Sequence, residues 1–136
     1  MEFGKIALRY VLTFSAFIII DLVWLGFIAK GIYQKWLGHL MADEVNWTAA
    51  IIFYLIFIAG LSIFVIYPAV HKDSISHAII YGALLGVLTY STYDLTNLAT
   101  LKGWPWQLVL IDIVWGAVLS ASVCAAGFYI NSWIKS

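Results

Sequence analysis

Cysteine occurs once in the 136 residues, at Cys124, so no internal disulfide and no cysteine-ligated metal centre can form. Charge is scarce too. Only 10% of the residues are Asp, Glu, Lys or Arg, where a soluble globular domain carries about 25%. Seven acidic and seven basic residues cancel, which removes the basic footprint that nucleic acid requires. Histidine is limited to His39, His71 and His77, all in connecting segments or at the ends of apolar runs. No histidine pair is placed for haem, no histidine cluster for an intramembrane zinc hydrolase, and no Ser-His-Asp nucleophile can be assembled. No lysine lies deep in an apolar run to carry a retinal Schiff base. What fills the chain instead is apolar: 64% of it is hydrophobic and the mean hydropathy is +0.98. Neither a soluble domain nor a disordered chain has that composition.

Residues 6–29, 47–68, 77–101 and 107–131 each offer the roughly 20 apolar residues that cross a bilayer core. The expected fold is therefore an all-α, polytopic bundle of four transmembrane helices, one unit spanning residues 1–136. Lys30-Gly31, Pro68 and Lys102-Gly103-Trp104-Pro105 read as stops for the first three spans. Asn131, Trp133 and Lys135 mark the end of the fourth. Asp21 and the bulky Trp24-Leu25 stand where a signal peptide would need small residues, so the first span is read as retained. With four spans both termini share a side. Lys5, Arg9, Lys72 and Lys135 against Lys30, Lys35 and Lys102 place that side in the cytoplasm. Trp36, Trp47, Trp104, Trp106 and Trp133 sit near span ends, as an aromatic belt requires.

Between the first two spans, Ile32, Tyr33, Trp36, Leu37, Leu40 and Met41 recur at helical spacing, with Gln34, Lys35, His39 and Asp43 opposite. This pattern predicts a short amphipathic helix in the interface, either an anchoring connector or a cap over whatever opens on that side.

Ionisable residues inside a membrane are costly and mark function by default. Three are expected here: Asp21, Asp94 and Asp112. Their distances from the span ends put all three roughly 8–12 Å below the same face, the predicted outer one. Tyr54 falls in the same layer. In the third span Gly82, Gly86, Tyr90, Asp94 and Asn97 form one stripe, and in the fourth Asp112, Gly116, Ser120 and Cys124 form another. Small residues let helix backbones approach, so both aspartates should face the bundle interior. Ile20-Asp21-Leu22-Val23-Trp24 is echoed by Ile111-Asp112-Ile113-Val114-Trp115, each aspartate sharing a face with the tryptophan three residues on.

Carboxylates with Tyr, Thr and Asn suit a proton or a hard cation such as Na⁺, Mg²⁺ or Ca²⁺; no other cofactor is evident. Trp24, Tyr90, Tyr93 and Trp115 would add aromatic walls for an organic cation. The leading expectation is an outer-leaflet, carboxylate-lined cavity that binds or transports a proton, a cation or a cationic small molecule. The same set would also serve acid/base chemistry on a lipid or isoprenoid, with one carboxyl neutral and another charged. A third class is a structural subunit, its aspartates acting as interhelical glue in a homo-oligomer or larger membrane complex. Membrane lipids are the expected partners, joined on the structural reading by a second copy of the chain or a larger membrane complex.

The stretches Asp21-Leu22-Val23-Trp24-Leu25-Gly26, Thr92-Tyr93-Asp94-Leu95-Thr96-Asn97 and Asp112-Ile113-Val114-Trp115-Gly116 resemble a family of small bacterial membrane proteins of unknown function with four predicted helices. The resemblance covers essentially the whole chain. It implies a bacterial inner-membrane location and brings no catalytic residues with it.

Overall fold

The computed structural model describes residues 3–41 and 44–135, apart from the side chains of Lys30 and Lys135. Four long apolar helices are present: α1 (Phe3–Ile28), α3 (Trp47–His71), α4 (Ile75–Thr100) and α5 (Trp106–Lys135). Each is long and apolar enough to cross a membrane. A short α2 (Lys30–Leu37) lies between the first two and runs into a single 3₁₀ turn, Gly38–Leu40. Among the described residues there are no strands, and the all-α polytopic bundle is the observed architecture.

The starts are set by local chemistry. Asn46 and Ser74 cap α3 and α4, each side chain accepting the backbone N–H of the residue three positions on, Ala49 and His77. Gly103 adopts a left-handed φ of 75° in the α4–α5 turn, a conformation that costs glycine little. Pro68 does not end its helix, contrary to the sequence expectation. The turn before it, Ser62–Ile66, is a π-helix, and this widening relieves the clash that a proline ring makes with the preceding turn. The helix then continues to His71.

α5 is the hub, packing against α1, α2, α3 and α4, most extensively against α4. The small-residue stripes explain that pairing. A Cβ built on Gly86 would stand 2.1 Å from the Gly116 carbonyl oxygen, and one on Gly82 would stand 3.0 Å from Cys124. The two backbones are therefore close enough that only glycine fits at position 86. Toward the α3–α4 turn, Phe17, Ile58, Leu61, Ile66, Leu119 and Val123 fill the interior. The first half of α3 behaves differently. It packs on α1, where the Tyr10 hydroxyl donates to the Leu55 carbonyl at 2.7 Å, and does not pack closely on α4.

α2 matches the amphipathic pattern in part. Ile32, Tyr33, Trp36 and Leu37 turn inward while Gln34, Lys35 and His39 are exposed. Leu40 and Met41 fall beyond the helix and are exposed, because the 3₁₀ turn breaks the helical phase. Asp43, assigned to the polar face, lies outside the described residues.

Candidate functional site

Where the first half of α3 stands away from α4, a cavity of about 410 Å³ remains. Asp21 and Trp24 of α1 form one wall and Phe53 and Tyr54 of α3 another. Tyr90 and Tyr93 of α4, Trp115 of α5 and Tyr33 of α2 complete the aromatic lining. Phe53 and Tyr93 are 42% and 55% exposed and make the rim. Among the described residues Asp21 is the single carboxylate in this aromatic lining, and the Trp115 indole lies beside it.

The echoed Asp-x-x-Trp segments have a structural counterpart. Because α1 and α5 run in opposite directions, Trp24 and Trp115 come face to face, their rings stacked at 4.4 Å and 9°. Each indole then serves the other helix's end of the site. Trp115 faces Asp21. Trp24 Nε1 donates to the Tyr33 hydroxyl at 3.1 Å, and Tyr33 in turn donates to Asp112 Oδ1 at 2.5 Å. The helical turn beginning at Trp24 is a π-helix, closed by the Ala29 N–H on the Trp24 carbonyl. Such turns recur at functional sites because they re-aim side chains without breaking the helix.

The three aspartates do not share one space. Asp112 is 5% exposed and Asp94 is fully buried, and neither lines the cavity. They form an adjoining cluster, their carboxyls within hydrogen-bonding reach of one another once one carries a proton. Neither Asp94 oxygen has a hydrogen-bond partner among the described residues. Trp104, expected in the aromatic belt, instead covers this cluster. Its ring meets Tyr93 edge-on at 5.7 Å, and its buried N–H turns toward Asp94 without an ordinary hydrogen bond. Trp47, Trp106 and Trp133 are well exposed.

Tyr54 and Tyr90 lie close to Asp21, and Tyr90 is also within electrostatic reach of Asp112 and Asp94. Asn97, which shares the Asp94 stripe, is partly exposed and lines no part of the cavity. One functional residue escaped the sequence reading. Tyr33 was assigned to an apolar face, yet its hydroxyl joins the cavity to the carboxyl cluster. Burial, and then the bond to Asp112, raise its phenol well above the usual tyrosine value, so it is held as a donor. Its signal in sequence is a phenol on the apolar face of the segment that follows the first aspartate-bearing span.

No group of three or more His, Cys, Asp or Glu able to hold a metal ion occurs among the described residues. The described residues offer one carboxylate among aromatic rings, backed by a buried carboxyl pair.

No curated protein and no solved structure matches the chain. Residues 6–129, which contain every side chain of the cavity and of the carboxyl cluster, match the family model described as "Predicted membrane protein (DUF2177)", and the chain belongs to that family of membrane proteins of unknown function.

Proposed function

We propose that the protein binds a small organic cation in the aromatic cavity, with Asp21 as counter-charge. The observation that carries the reading is the lining itself: among the described residues it holds one carboxylate, no basic side chain, and rings from all four spans and α2. A cation over a Trp or Tyr face is favoured by about 0.5–2 kcal/mol per ring, most where water is excluded. The volume falls in the range of small-molecule pockets. On the orientation that the loop charges favour, the cavity opens in the outer half of a bacterial inner membrane. A rim on helix faces admits a ligand from the lipid side.

Acid/base chemistry on a lipid or isoprenoid is the second reading, favoured by that same rim. It requires two carboxyls at the substrate, and Asp94 and Asp112 stand behind Tyr33. A hard metal ion has too few donors at Asp21, and a purely structural role for the aspartates would leave the cavity unexplained.

Benzyltrimethylammonium is a direct probe. We expect saturable quenching of tryptophan fluorescence by the probe in detergent-purified protein. Affinity should fall about tenfold or more in Asp21→Asn, the loss of at least one charge-assisted contact. Neopentylbenzene, its uncharged carbon isostere, should bind weakly. Equal binding of the two compounds, or unchanged affinity in Asp21→Asn, would refute the proposal.

A further inference from the structure

We infer that Asp94 and Asp112 form a proton-binding site linked through Tyr33 to the cation cavity, so that entry of a cation expels a proton. The linkage rests on the cavity reading above; the proton site does not.

The pair itself comes first. Asp94 is fully buried with both carboxyl oxygens unpartnered, and Asp112 lies within hydrogen-bonding reach of it. Two carboxylates accept and cannot donate, so a bond between them exists only with a proton on one. The groups that face the pair come from every neighbouring element. Tyr33 approaches from α2, Tyr90 and Tyr93 from α4, and Trp104 from the α4–α5 turn, while Asp21 of α1 and Tyr54 of α3 act from the far side of Tyr90. Among the described residues, no basic side chain acts on either carboxyl. Two like charges side by side in a low-dielectric interior, with no counter-charge, are strongly disfavoured. The pair holds a proton instead.

Tyr33 decides which carboxyl holds it. The phenol donates to Asp112, which suits the charged acceptor, and Asp94 has no donor of ordinary geometry to stabilise its charge. The proton therefore resides on Asp94 and is shared toward Asp112.

Linkage follows from position. Tyr33 lines the cavity and holds Asp112, and Tyr90 is within electrostatic reach of all three aspartates. A positive charge placed against Asp21 favours the doubly ionised pair, and the displaced proton leaves to water. One positive charge enters as one departs. By reciprocity, protonation of the pair must weaken cation binding by the same factor.

The test uses the full chain in detergent, with benzyltrimethylammonium as probe. Infrared spectra of ligand-free protein at pH 7 should contain a protonated-carboxyl stretch that Asp94→Asn removes. Saturating probe should diminish that band and release about one proton per cation into weakly buffered solution, read with a pH indicator. Asp94→Asn, with the cavity wall intact, should release none. Absence of the band in wild type overturns the proton site, whatever the cavity binds. Probe binding without proton release overturns the linkage. Failure of wild type to bind the probe overturns the cavity reading and the linkage together, and the ligand-free band then decides the proton site alone. If Asp94→Asn does not fold, the wild-type band and proton count still decide.

Discussion

Replacing Gly86 with alanine adds one methyl group where the α4–α5 contact has no room for it. The new Cβ would lie 2.1 Å from the Gly116 carbonyl oxygen and 2.7 Å from Ser120 Oγ. The first obstacle is backbone, which cannot swing aside as a side chain can, so the helices must part by roughly 1.3 Å or more to reach ordinary contact. Over-packing of this kind costs about 1–3 kcal/mol. Alanine returns up to about 1 kcal/mol through its better helix propensity. A net loss of about 1–2 kcal/mol is expected, or roughly 4–8 °C in Tm for a chain of this size. Gly60 is the internal control, since a Cβ there meets nothing within 4 Å; Gly60→Ala should be neutral or slightly stabilising. Gly82→Ala, whose Cβ would stand 3.0 Å from Cys124 and the Ser120 carbonyl, should fall between them. Thermal unfolding in one detergent, followed by near-ultraviolet circular dichroism, ranks the three. If Gly86→Ala melts at or above Gly60→Ala, the α4–α5 contact is not as close as described, and the small-residue argument fails.

Three other outcomes are expected. Tyr33→Phe keeps the ring and deletes the hydroxyl that fastens α2 to Asp112, so amide exchange in Lys30–Leu37 should quicken while exchange in α4 and α5 stays unchanged; equal protection in α2 would refute the fastening role. In wild type the Tyr33 phenol is raised above its ordinary value of about 10. Its contribution is therefore fully present below that pH and is lost only as pH climbs through the higher folded value. Tyrosinate absorbance at 295 nm should accordingly have the same early-titrating amplitude in wild type and Tyr33→Phe. Trp24→Leu removes one partner of the stacked indole pair and should abolish the coupled near-ultraviolet circular dichroism of two indoles, as should Trp115→Leu; signals that merely halve would place the rings apart.

Much of the bundle could be read from hydropathy, because four apolar runs in a bilayer leave the backbone few options. Gly82 and Gly86 were readable for the same reason that they matter: nothing smaller exists, so their spacing reports a contact. A common layer for Asp21, Asp94 and Asp112 followed, as an expectation, from helical rise alone. Its division into a cavity and a sealed pair did not, since depth along a helix says nothing of which neighbour intervenes. Tyr33 and Trp104 are those neighbours. Both are amphipathic aromatics near span ends, and composition assigns such residues to the interface whether they face lipid or roof a carboxylate. The π turns at Trp24–Ile28 and Ser62–Ile66 were equally hidden. Each adds a residue to one turn within an unbroken apolar run, and it is this insertion that lets Pro68 sit inside a helix.

Because α5 touches every other helix, the order in which a ribosome delivers the spans matters for this protein. Until α5 enters the bilayer, Asp94 has no Asp112, Tyr33 has no acceptor, Asp21 has no Trp115, and the glycine face of α4 has nothing to close upon. The first three spans thus arrive as a set of exposed polar defects in lipid, the kind of surface on which membrane insertion factors and proteases act. A chain stalled before its fourth span would present that surface in full, and completion of α5 is the single event that hides it.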